Sequence, residues 1–133
     1  MTPARALALL AAGIFIGALG LFIVLQALGQ RHAVPHGLMN LTQYHYTQNR
    51  KVLARSDCDL AQAASHAQQL AALSRDVVPV FAVIGIDEPG FRNASTAYQQ
   101  AIQDALATTH CDAMADAWRL VGDACQSCHV EYR

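Results

Sequence analysis

"DAMADAWRLVGDACQSCHVEYR", residues 112–133, decides how the rest of the chain is read. Met114, Trp118, Val121, Cys125, Cys128 and Tyr132 recur at alternating steps of four and three, so they fall on one stripe of an α-helix starting near Asp112. The stripe is apolar at its start and ends in a pair of cysteines, with His129 directly after the second. A helix of this kind must bury its stripe against other helices or against a sheet. The preceding hundred residues offer helices only.

Residues 30 to 133 are rich in Ala, Leu and Gln and poor in Gly, and after Pro35 they contain only Pro79 and Pro89. "GLMNLTQYHYTQNRKVLAR" (37–55) is compatible with a first helix, with Leu38, Met39, Leu41, Tyr44, Tyr46, Val52 and Leu53 as its apolar and aromatic positions. "SDCD" follows, and Ser56, Asp57 or Asp59 can cap a second helix running from about Leu60 to Asp76, with Leu60, Ala63, Ala67, Leu70 and Leu73 on one stripe. "VVPVFAVIGIDEPGFRN" (77–93) carries two prolines and two glycines yet stays apolar, which predicts a packed connection. A third helix is expected after the capping candidates Asn93 and Ser95, reaching about Thr109 with Tyr98, Ala101, Ile102 and Ala105 inward. Four helices joined by two short turns and one longer connection predict an all-α, up-down-up-down four-helix bundle over residues 37–133.

At 133 residues the chain has room for one such domain. Ala6 to Gly29 contains a single polar side chain, Gln26, and as a helix would reach about 36 Å, enough to cross the hydrocarbon layer of a bilayer. Residues 1–29 therefore read as a membrane anchor, with a cleaved secretion signal as the alternative because "ALG" before Gln30 resembles a cleavage site. Residues 30–36, "QRHAVPH", read as a short polar linker. Both readings export the domain; in the anchored case the N-terminus stays in the cytoplasm and the domain faces the periplasm of a bacterial inner membrane. The net charge of -1, with no long run of one sign, removes the electrostatic case for nucleic acid. Lys51 is the only lysine, which disfavours docking through a lysine ring.

On a helix Cys128 lies roughly 60° to one side of Cys125 and His129 roughly 40° to the other, so all three project from one face. That arrangement suits a flat ligand: two thioethers from Cys125 and Cys128 would hold one haem c by its edge, and His129 would supply a nitrogen to the iron. A redox-active dithiol would normally follow a strand, and none is readable. Half of a zinc site would need a second Cys or His pair, and His36 and His45 do not stand at that spacing. No nucleophile, paired catalytic carboxylate or phosphate loop argues for an enzyme.

"VGDACQSCHVEYR" resembles the terminal helix of the cytochrome c′ family, in which C-x-x-C-H is followed by an aromatic residue and Arg near the chain end. Cytochrome c′ is among the bundles of the expected topology. The resemblance extends over residues 34–133, and is strongest in the last helix. "MNLTQYHYTQ" is similar to the family segment in which a distal apolar residue is followed six positions later by His and an aromatic. Laying that pair on His45 and Tyr46 implies Met39 on the distal side of the haem. Leu38 occupies the same arc, and periodicity does not choose between them. His45 is a rival ligand but lies about 9 Å further along the helix, and reads as a core or boundary residue. His32 and His36 precede the helix; His66 and His110 read as surface positions. Arg133 matches the terminal Arg of the family, and the resemblance implies a propionate or proximal-imidazole partner for it. Pro35 stands where the family often has a distal Arg, so no role for that residue carries over. Phe81 is a candidate for packing on the haem.

Cys58 and Cys111 precede the second and fourth helices, so both fall in turns at the end opposite the haem and form the expected intrachain disulfide. The leading functional expectation is a membrane-tethered monohaem cytochrome, with Met39 and His129 as axial ligands, passing single electrons to redox partner proteins of a respiratory chain. The resemblance equally admits a five-coordinate cytochrome that binds nitric oxide or carbon monoxide, with Met39 not a ligand, and a homodimer paired through the first two helices. A third expectation is an assembly subunit whose haem is structural.

Overall fold

The computed structural model describes residues 3–132, and all regular structure among them is helical. Five helices follow one another: α1 (Pro3–Leu53), α2 (Leu60–Ser74), α3 (Val77–Ala82), α4 (Pro89–Leu106) and α5 (Cys111–Glu131). The chain divides into two compact units, residues 1–34 and 35–133. The first is helical, and its leucines, isoleucines and phenylalanines stand exposed from Leu7 to Leu28. It contains the one stretch among the described residues long and apolar enough to cross a membrane.

Residues 30–36, expected as a linker, are helical, with Pro35 inside α1. Proline has no N–H to bond back one turn, and the division between the two units falls at this residue.

Within the second unit, four helices contribute to one core. Val52 of α1 meets Ala63, Ala67, Leu70 and Ala71 of α2, Tyr98, Ile102 and Ala105 of α4, and Met114, Trp118 and Val121 of α5. The alanines of α2 let α4 approach closely, and α4 in turn packs along α5. Trp118 is the largest buried side chain; its indole N–H donates to the Tyr46 carbonyl at 3.2 Å, and the two rings stack 5.7 Å apart. A second cluster forms around Leu38, Val77 and Phe91, joined by half-buried Met39, Phe81, Cys128 and Tyr132.

The caps explain the boundaries. Of the three candidates before α2, Asp59 is the one used: its carboxylate accepts from the Gln62 N–H at 3.1 Å. The connection at 77–93 is packed, as expected, but it includes the short helix α3, which holds Pro79 in its first turn, where a missing N–H costs nothing. Gly85, with φ 90°, supplies the left-handed residue that turns the chain after it. α4 starts at Pro89, a turn earlier than the capping candidates Asn93 and Ser95, because proline is favoured at the first helical position. Arg92 holds that start, donating to the Asp87 carbonyl at 2.6 Å and to its carboxylate at 2.9 Å.

Cys58 and Cys111 form a disulfide pair with Cα atoms 6.4 Å apart, joining the α1–α2 turn to the first residue of α5.

Candidate functional site

The stripe of α5 changes character along its length. Met114, Trp118 and Val121 are buried in the shared core, while Cys125 and Cys128 are half-buried and His129 is exposed. These last three line a cavity of about 540 Å³, within the range that holds a cofactor-sized ligand. From α1 come Met39, Thr42, Gln43 and Tyr46, three or four residues apart on one face; α3 adds Val77, and α4 adds Ala94, Ser95 and Tyr98. Met39 and the Cys125–Cys128–His129 motif therefore border the same space, although 86 residues separate Met39 from Cys125.

One glycine of the wall makes room for an aromatic residue of the same wall. A Cβ at Gly122 would run into the Tyr46 hydroxyl, so the bare backbone of α5 lets the Tyr46 ring lie across it on the way to Trp118. Gly90 makes the same allowance for the Tyr132 hydroxyl at the start of α4.

The wall is mostly apolar with a few orphaned polar atoms. The buried hydroxyls of Thr42, Ser95 and Tyr98 lack a hydrogen bond of good geometry, although Thr42 lies near enough to Tyr98 to counter part of the upward shift of its phenol. Buried polar atoms normally find partners, so three orphans on one cavity mark a space built for an occupant or for water.

The thiols are tuned against reactivity. Burial, with Cys128 beside it, pushes the Cys125 thiol up to about 11; burial and Glu131 push Cys128 up as well. A dithiol redox centre needs the opposite shift, towards thiolate. Cys125 and Cys128 stand as separate thiols while Cys58 and Cys111 are paired. Among the described residues no group of three or more His, Cys, Asp or Glu is arranged to hold a bare metal ion.

Phe81 lies outside the cavity wall, packed on Phe91 with ring centroids 5.4 Å apart in the second cluster. Arg133 lies outside the described residues. His45 is half-buried and stands beside His66, which is half-buried as well. Sequence reasoning read Tyr98 as an inward core position and Ser95 as a helix cap, and did not single out Thr42 or Gly122; the three hydroxyl residues are buried, and their helical spacing is the signal that was available.

Set against known proteins, the chain matches no family model, no curated protein and no solved structure.

Proposed function

We propose that this chain is a monohaem c-type cytochrome that passes single electrons on the periplasmic side of a bacterial inner membrane, held there by residues 1–29. The observation that carries the reading is the shared cavity: one space of about 540 Å³ is bordered by both cysteines and the histidine of C-x-x-C-H and by Met39 from the opposite helix. The shared core of α1, α2, α4 and α5, with the disulfide at one end and the second cluster at the other, supports an up-down-up-down four-helix bundle of the cytochrome c′ kind.

Cys125 and Cys128 would hold haem by two thioethers, and His129 and Met39 would be its axial ligands. Bound haem supplies a one-electron couple at its iron, and methionine paired with histidine raises its potential relative to two imidazoles. The chain's own contribution is exclusion and positioning. Val77, Ala94 and Ala124 give the wall an apolar surface that keeps water out, and Gly122 lets Tyr46 close one side. Elevated thiol pKa values keep Cys125 and Cys128 protonated at neutral pH until they react, which limits stray oxidation in an oxidising compartment.

The orphaned Thr42 and Tyr98 hydroxyls favour a second reading. Beside an open sixth position they would donate to a bound diatomic gas, with Met39 remaining a packing residue of the second cluster.

One set of spectra tests both. Visible and near-infrared spectra of the purified protein should show covalent haem that survives acid–acetone extraction, is low-spin with a sulfur-to-iron band when oxidised, and is lost from Cys125→Ala/Cys128→Ala. Met39→Ala should convert it to high-spin. A high-spin wild type unchanged by Met39→Ala moves the assignment to the gas-binding form, and the absence of covalent haem ends both.

A further inference from the structure

Away from the cavity, His45 of α1 and His66 of α2 face one another with their Nδ1 atoms 3.1 Å apart. Their ring centroids are 5.4 Å apart and the planes are tilted by 49°, so the rings do not stack. Tyr44 sets its ring edgewise against both, at 5.1 Å from His45 and 6.5 Å from His66. Both histidines are half-buried, so solvent ions reach them, and neither takes part in the haem reading.

We propose that His45 and His66 form a binding site for a divalent first-row transition ion that favours imidazole, copper(II) before zinc(II), bridging α1 and α2. Metal–imidazole bonds are about 2.0–2.1 Å, so two nitrogens on one ion stand about 2.9 Å apart at a right angle and about 3.4 Å apart at a tetrahedral angle. The observed 3.1 Å lies between these limits, and the pair is set to chelate without moving either helix. In the metal-free protein the same separation holds an N–H···N hydrogen bond, one Nδ1 donating its proton to the other. Metal entry moves that proton to Nε2 of the same ring, which frees both Nδ1 lone pairs with no net proton release. Burial, and then the neighbouring His66, hold the pKa of His45 below the usual histidine value, which keeps this ligand neutral at pH 7. Among the described residues no third His, Cys, Asp or Glu completes the set. Water fills the remaining positions, and copper(II) leads zinc(II) by the usual order of affinities.

The test uses the full chain in detergent, haem-loaded as isolated, with copper(II) sulfate as the probe. One equivalent should bind with an electron paramagnetic resonance spectrum split by two nitrogens, and should raise the thermal unfolding midpoint because the ion ties two helices. His45→Gln and His66→Gln should each weaken copper binding at least tenfold while leaving the haem spectrum unchanged. A His32→Gln/His36→Gln/His110→Gln variant should bind as wild type does. The proposal is overturned by no stoichiometric binding, by a spectrum split by one nitrogen or dominated by sulfur, or by copper affinity that survives both His45→Gln and His66→Gln.

Discussion

Gly122 shows how much of the site turns on a single hydrogen atom in place of a side chain. Tyr46 is fixed on its other face by Trp118, through the 5.7 Å ring stack and the indole hydrogen bond to its carbonyl, so it has little freedom to retreat from a new Cβ. Gly122→Ala is expected to destabilise the protein by about 1–3 kcal/mol, the usual cost of overpacking, and to perturb the spectrum of the proposed haem through the displaced ring. Tyr46→Phe removes only the hydroxyl that would collide, and should recover much of the loss in the Gly122→Ala background while changing little alone. Urea unfolding of the four proteins of that cycle measures the coupling; additive effects would show that Gly122 and Tyr46 do not share the contact. None of this could be read in the sequence. A glycine within a helical pattern is ordinarily a weak point, and its use depends on a neighbour 76 residues away.

Elements were legible where a stripe decides them and obscure where a local cap competes with tertiary packing. The inward faces of α2, α4 and α5 follow from spacing alone, since Ala63, Ala67 and Leu70, then Tyr98, Ile102 and Ala105, then Met114, Trp118 and Val121 are all buried. The start of α4 was misplaced because Asn93 and Ser95 have capping chemistry but lie inside a helix already begun by Pro89. Residues 30–36 looked like a linker by polarity, yet helix continues through them. The meeting of His45 of α1 with His66 of α2 was the least visible, because periodicity does not weigh half-buried polar rings. That pairing should respond to acid. His45 has a folded-state pKa below its ordinary 6.5, chiefly through burial and secondarily through His66, so as pH falls the unfolded chain takes up a proton before the folded one does. Stability should therefore be full above about pH 6.5, decline below it, and level off once His45 protonates in the folded state. Urea midpoints in chelator-containing buffer between pH 7.5 and 5 follow this, and His45→Gln should flatten the slope. An unchanged slope in the variant would place the titration elsewhere.

At the scale of the molecule, the two cysteine pairs divide the labour. Cys58 and Cys111 close a loop with a sequence separation of 53, which in the loop-entropy account stabilises the fold by about 4 kcal/mol, while Cys125 and Cys128 lie 14 residues or more along α5, about 21 Å from Cys111. A Cys58→Ser/Cys111→Ser protein should thus lose about 2–5 kcal/mol of stability yet keep the spectrum of the proposed haem; a changed spectrum at full loading would mean that the two ends are coupled. The N-terminal unit poses a different question. Its exposed side chains, among them Phe15 at 71% and Ile16 at 70%, give it a surface that water solvates poorly. A bilayer would supply an apolar environment for it, and a helix satisfies its own backbone there. Since residues 35–133 hold both core clusters and every cavity-lining residue, removal of residues 1–34 should release a soluble protein with nearly the same unfolding midpoint and, on the proposed function, the same haem spectrum. The intact chain should sediment with membranes, resist extraction by high salt and alkaline carbonate, and dissolve in detergent. Recovery of the intact, uncleaved chain in the soluble fraction would remove the anchor. Recovery of a shortened chain there would instead mark the segment as a cleaved export signal, leaving the fold of residues 35–133 as described.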